Sequence, residues 1–312
     1  MTRVVLAGEI LTVFLAETDV PLGESVQFAR TFAGAESNTA IGLSRAGVAT
    51  TFLGRVGSDA FGRAAIRHLR GEGVDVSHVR ADPKAPTAML ARSVSSSSVE
   101  VIYGRRGSAG GRFGPTDVPA AAFKKVDLLH FSGITPMLSE HAAEACLLAC
   151  ELARAAGAAI SFDPNIRLRM ASVPAWRTGL APFLRIADVV LAGADEVVAL
   201  TQLTSLRAAA EKLHQICGAV VVVKDGARGA SAFDGTSWHS APAMEVRAVD
   251  PVGAGDAFNA GFLAVWLESR SLQQALANGS RGGAMSVGAR GDTTGIADTS
   301  IDPPPGPGEV SR

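Results

Sequence analysis

The chain has 312 residues, 47% of them hydrophobic, and its 29 basic and 30 acidic side chains leave a formal net charge of −1. That supports a full core in one large domain or two smaller ones, and the balanced charge without a polybasic run argues against nucleic acid or an anionic membrane as partner. The cysteines Cys146, Cys150 and Cys217 are too few for a disulfide framework and lack metal-site spacing with histidine, so a reducing cytoplasm is the expected compartment.

Met1 to Glu9 reads as a first strand rather than a signal peptide, because Glu9 interrupts the apolar run. Glu144, Glu151 and Arg154 break the longest candidate for a membrane-spanning stretch. Residues 3 to 8 alternate as a strand, and Ala33-Gly34 opens a helix over Glu36 to Ala46. The segment between them, about residues 10–32, is too long for a simple strand-to-helix loop and predicts strands that leave the main sheet. Thr50 to Val56 reads as strand and Ala60 to Arg70 as helix, with Asp59 as N-cap. Thr87 to Val94 and Val99 to Tyr103 read as a hairpin turned by Ser95 to Ser98. Together with the 10–32 strands, this 86–106 region predicts a small sheet beside the main domain.

From residue 126 strands and helices alternate: Asp127 to Phe131, Ser139 to Ala156, Ala158 to Phe162, Trp176 to Ile186, Asp188 to Ala192, Leu206 to Cys217, Ala219 to Val223. Unbroken apolar strands such as Val220 to Val223 predict an α/β fold, doubly wound around a mainly parallel sheet. Ligands in such sheets collect beyond the carboxyl ends of the strands. The loops there contain Gly8-Glu9, His130 to Gly133, Asp163 to Arg167, Gly193 to Glu196 and Lys224 to Gly229. Residues 303–312, rich in Pro and Gly, read as a frayed tail beyond a folded unit of residues 1–302.

Asp250-Pro-Val-Gly-Ala-Gly-Asp256 leads into a helix with Phe258, Phe262, Val265 and Trp266 at helical spacing. A helix start exposes unpaired N–H groups and the positive end of the dipole, so Gly253, Ala254 and Gly255 can cradle an anion. Spacing alone leaves Asp256 open between a helix cap and a base placed against a reacting phosphate.

Read together, Gly34-Ala-Glu-Ser-Asn38, Leu53 to Gly62, Lys224 to Gly229 and Asp250 to Asp256 resemble, in order and over nearly the whole chain, the ribokinase-like (PfkB) sugar kinases. Ala35 to Asn38, Tyr103-Gly-Arg105, His130 to Ile134, Asp163 to Arg167 and Arg290-Gly-Asp292 look like the 2-keto-3-deoxygluconate kinases within that family. The resemblance implies transfer of a phosphoryl group from ATP, with magnesium, to a terminal hydroxyl of that acid sugar or a close one. A monovalent-cation requirement stays open. Asp256 matches the catalytic base, with Gly253, Ala254 and Gly255 as anion hole. Gly34, Asn38, Tyr103, Arg105, Arg167 and Asp292 match the substrate site, where the arginines offer bidentate forks to a carboxylate. Asn165, Arg167, Lys224, Asp225, Gly226, Ala227, Gly229 and Asn278 match the ATP site, and Glu196 would hold magnesium indirectly, through water.

Two departures stand out. Gly193 replaces the family's usual Asn, where Asp195 is a conceivable substitute through water, and Met89 stands where an aromatic wall to the sugar is expected. Alternative readings are a kinase for a neutral sugar (ribose, fructose) or a nucleoside, and a non-catalytic sugar-acid sensor. One exposed face of the small sheet suggests a homodimer or higher homo-oligomer.

Overall fold

A computed structural model describes residues 2–94 and 99–296. The predicted Ser95 to Ser98 turn and the 303–312 tail lie outside the described residues. In chain order the elements are β1 (Arg3–Ala7), β2 (Leu11–Ala16), β3 (Phe28–Ala33), α1 (Ala35–Arg45), β4 (Ala49–Gly57), α2 (Ala60–Gly71), β5 (Val79–Asp82), β6 (Met89–Val94) and β7 (Val99–Gly104). Then follow β8 (Leu128–Ser132), α3 (Glu140–Ala155), β9 (Ala159–Asp163), α4 (Val173–Ile186), β10 (Val189–Gly193), α5 (Ala194–Thr201), α6 (Leu206–Cys217) and β11 (Val220–Lys224). The chain closes with β12 (Ala230–Phe233), β13 (Trp238–Ala241), α7 (Ala254–Ser269) and α8 (Leu272–Val287).

Nine strands form one sheet in the order β13-β12-β11-β10-β9-β8-β1-β4-β5. Pairing is parallel from β5 through to β11, and β12 and β13 close that edge as an antiparallel hairpin. Because strand side chains alternate, each parallel strand feeds two cores. On one face Val5, Phe131, Phe162 and Val221 pack with Trp176 and Phe183; on the other, Leu6, Leu191 and Val222 pack with Ile41, Phe262 and Trp266. Cys146 and Cys150 are buried in the first of these cores, where burial pushes the Cys150 thiol up to about 12, so both act as packing groups.

The second sheet runs β3-β2-β6-β7, joining the 10–32 strands to the predicted hairpin. β2 pairs β6 in parallel while both outer pairs are antiparallel. Its own small core is Leu11, Val13, Leu15, Ala33, Ala88 and Leu90. Periodicity did not reveal β5, β13, α5 or α8: the strands are four residues long, α5 has only eight residues, and α8 interleaves Gly and polar residues with its apolar positions.

Candidate active site

Two cavities meet at the start of α7. One, of about 520 Å³, lies between the small sheet and the carboxyl ends of the main strands. Its walls include Gly34, Asn38, Tyr103, Arg105, Asn165, Arg167, Asp256 and Asp292. The other, of about 1090 Å³, is lined by Lys224 to Gly229, the irregular 242–248 segment and α8. Lys224, Pro251 and Gly255 belong to both walls.

The junction is built by backbone geometry. Gly253 caps α7 at φ 86°, a left-handed conformation, and a Cβ there would run into the backbone of Asp292. The first α-helical bond within α7 runs from Ala257 N–H to Gly253 O at 2.9 Å; Ala254 N–H makes a long 3.4 Å bond to Pro251 O, and the N–H groups of Gly255 and Asp256 have no carbonyl one turn back. That end of a sixteen-residue helix carries the positive pole of its dipole into the junction.

Asp256 is half-buried, and its Oδ2 accepts from Asn38 Nδ2 at 2.8 Å. Burial pushes its carboxyl up to about 8, against the pull of the Asn38 bond, and the negative charge of Asp163 adds to the rise. Its carboxyl thus lies well above the ordinary carboxylate range. Asp163 accepts from Lys224 Nζ at 2.8 Å and Asn259 Nδ2 at 2.6 Å through Oδ2, and from the Asn165 N–H at 3.0 Å through Oδ1. Burial opposes its ionisation, yet the Lys224 ammonium holds its carboxyl below the usual value. Asp163 enters the sequence reading only as the start of the Asp163 to Arg167 loop, and Asn259 not at all, although it follows Asp256 by three residues on the same helix. Asn165 sits at φ 45°, a conformation Asn tolerates.

The two proposed arginines differ. Arg105 Nη2 lies 2.7 Å from Oε2 of the buried Glu9, and its guanidinium sits 5.6 Å from the centre of the Tyr103 ring. Arg167 is exposed, and its Nη1 donates to the Ile166 carbonyl at 3.2 Å. Tyr103 and Arg105 come from the small sheet and its exit loop, Arg167 from the loop after β9, so the sheet forms a lid over the first cavity. Met89 lies outside this wall: strand alternation brings Leu90 and Arg92 of β6 into it instead, and neither is aromatic.

Two further expectations need correction. Asn278 lines neither cavity; its Nδ2 donates to Gly261 O at 2.8 Å and joins α8 to α7, while Ser280, Gly283, Ala284 and Val287 face the second cavity. Asp195 is exposed and lines neither cavity, so it does not replace the Asn that Gly193 displaces. Gly229 lines the second cavity as expected, and at φ 93° it is also required by the β11-β12 turn itself, since a Cβ would collide with the Ala241 carbonyl.

Glu196 accepts the Ile166 N–H and the Gly193 N–H at 2.7 Å each, one on either oxygen. Among the described residues no group of three His, Cys, Asp or Glu could hold a metal ion. A carboxylate so occupied fits a hydrated magnesium carried by phosphates, held through water, and does not fit an all-protein cage.

A fold with a glycine-lined anion hole at a helix start, between two cavities at the carboxyl ends of a parallel sheet, defines a phosphoryl-transfer architecture. Over residues 1–299 the chain matches the model of the pfkB family carbohydrate kinases, and it belongs to that family. It is 34% identical over 301 residues to the 2-dehydro-3-deoxygluconokinase of Thermoproteus tenax, covering 95% of this chain and 91% of that one. An Escherichia coli structure solved with ATP and Mg2+ superposes with a TM-score of 0.88 at 27% identity, covering 95% and 96% of the two chains. A double mutant of the Vibrio cholerae O395 fructokinase, with fructose, ADP and a potassium ion bound, gives 0.86 at 26% identity, covering 96% of each.

Proposed function

We propose that this carbohydrate kinase transfers the terminal phosphoryl group of ATP to a terminal hydroxyl of 2-keto-3-deoxygluconate (2-dehydro-3-deoxygluconate) or a close acid sugar. The observation that carries the reading is the pair of cavities joined at Gly253 to Asp256, with Arg105 and Arg167 in the wall of the lid-covered one. The sugar lies under the lid, its carboxylate toward Arg167 and the Tyr103-Arg105 wall, its reacting hydroxyl toward Asp256. Adenosine occupies the second cavity against α8 and Lys224 to Gly229.

In-line transfer asks the protein for positioning and for positive field around the moving group. The amides of Gly255 and Asp256 supply that field without reorganising, and Lys224 Nζ stands beside them at the boundary of the cavities. Asp256 Oδ accepts the hydroxyl proton while Asn38 holds the carboxylate in place. Its raised pKa narrows the gap to a sugar alcohol, although proton transfer still comes late, once the new P–O bond is forming. Magnesium, when bound, neutralises phosphate charge, and Glu196 orients its water.

Arg105 favours a second reading. Glu9 already neutralises its charge, which weakens one of the two forks assigned to a carboxylate and suits a neutral sugar such as fructose. ADP release measured with ATP and magnesium over a panel of 2-keto-3-deoxygluconate, its galacto epimer, fructose, ribose and a nucleoside separates the readings. The highest kcat/KM on the acid sugars upholds the first; on fructose or ribose, the second. No turnover with any of them would point to a sugar-acid sensor.

A further inference from the structure

Arg92 lies on β6, in the middle of the lid sheet, and its side chain is 2% exposed. Its guanidinium reaches into the main domain and bridges two carboxylates that no substrate role requires it to touch. Nη1 and Nη2 donate to Oδ1 and Oδ2 of Asp250 at 3.1 and 2.8 Å, and Nη2 also donates to Asp292 Oδ1 at 2.8 Å. Asp250 and Asp292 sit in the two loops that frame the first turn of α7, and the Asp292 backbone packs directly on Gly253. Asn38, in the wall of the first cavity, donates to Asp256 at 2.8 Å. Contacts thus run from the lid through Arg92 to Asp292, whose backbone packs on Gly253 at the start of the helix that carries the proposed base.

Two buried carboxylates at the foot of an anion hole need a counter-cation, because isolated charge in such a place is costly. A related kinase structure contains a potassium ion, so a metal cation is one candidate for that service. The oxygens here do not fit one. Asp250 Oδ1 accepts from both Arg92 and the Val252 N–H, and Oδ2 from both Arg92 and the Gly291 N–H, each amide at 3.1 Å. The guanidinium fills the space between the carboxylates, and its planar fork matches both.

We propose that Arg92 is a positioning residue that serves as the built-in cation of the phosphoryl-binding loops, so that this kinase needs no monovalent metal ion there. The inference rests on the kinase reading for its catalytic consequence, and on the ion pairs alone for its structural one.

The test begins with the wild-type chain at constant ionic strength in potassium, sodium or choline chloride. Its thermal midpoint, which needs no substrate, is expected to be the same in all three, and its kcat on the best sugar of the panel to vary by less than about twofold. A potassium-specific rise in the midpoint, or activity about tenfold higher in potassium than in choline, overturns the proposal. If no sugar is turned over, the functional reading fails while the midpoint series still decides the ion question. The Arg92→Ala variant in choline is expected to lose kcat by about tenfold or more with a smaller change in sugar KM, and to recover several-fold with added guanidinium or potassium. A loss that no cation restores, or unchanged kcat, overturns the positioning role. Arg92→Lys keeps a charge without the fork and is expected to fall between; should Arg92→Ala not fold, Arg92→Lys and the wild-type series decide.

Discussion

Replacing Asp256 by Asn separates catalysis from architecture at the residue on which the site turns. The amide is isosteric, and its oxygen can still accept from Asn38 Nδ2, which now bonds Asp256 Oδ2 at 2.8 Å, so the start of α7 is preserved. What is lost is the acceptor for the hydroxyl proton. A positioned general base contributes about 10²- to 10⁴-fold, so kcat is expected to fall by that factor while sugar binding holds within about threefold. The carboxyl's pKa of about 8 adds a pH dependence: wild-type kcat/KM rises with pH up to about 8, while the residual rate of Asp256→Asn is flat over that limb. Stability moves the other way. A carboxyl whose folded pKa is raised favours the fold below its unfolded value, and that benefit is lost as pH climbs through the folded one. Its cavity-facing side still meets water, so we discount the full displacement to about 1–3 kcal/mol. Asp256→Asn is therefore expected to match the wild type near pH 4 and to melt higher near pH 8. Stopped ADP release and thermal melting from pH 5 to 9 measure both. Wild-type turnover in the variant, or an unchanged pH profile, would refute the assignment of the base.

Arg167→Ala is expected to raise KM for the acid sugar by about tenfold or more with little effect on fructose, since a charge-assisted bidentate contact is worth about 1.5–3 kcal/mol; equal losses favour the neutral-sugar reading. Arg105→Ala is a poorer probe, because it strands Glu9 in the interior and is expected to lower the melting temperature as well. Gly253→Ala, which must adopt φ 86° and meet the Asp292 backbone, is expected to cost about 1–3 kcal/mol of stability and most of the activity, read by melting and ADP release. Gly193 has φ −69°, and a Cβ there would lie 3.4 Å from Glu196 Oε2, so Gly193→Asn should fold and lower the magnesium concentration needed for half-maximal rate; no change would mean that Gly193 costs this site nothing. Light scattering checks the homo-oligomer expected from the lid, on which Ile102 is 60% and Tyr103 47% exposed; a monomer at assay concentration refutes it.

Sequence alone determined the elements whose physics is local. Apolar runs such as Val220 to Val223 read as strands covered on both faces, the glycine loop before Phe258 reads as the entry to a helix, and Asp59 caps α2 with a 2.8 Å bond from the Gly62 N–H. The surplus strands at 10–32 and 86–106 likewise had to find partners outside the main sheet, and they found each other. Tertiary structure alone decided what depends on residues far apart in the chain. Asn278 matched a binding motif, yet the close approach of α8 to α7 spends its amide on a carbonyl seventeen residues away. Glu9 and Arg105 lie on separate elements, so their pairing, and the doubt it casts on a free carboxylate-binding fork, appears only when lid and domain meet. The raised pKa of Asp256 and the bridge from Arg92 to Asp250 and Asp292 have the same origin: desolvation and charge pairing are set by what surrounds a side chain in space, and no local pattern encodes that.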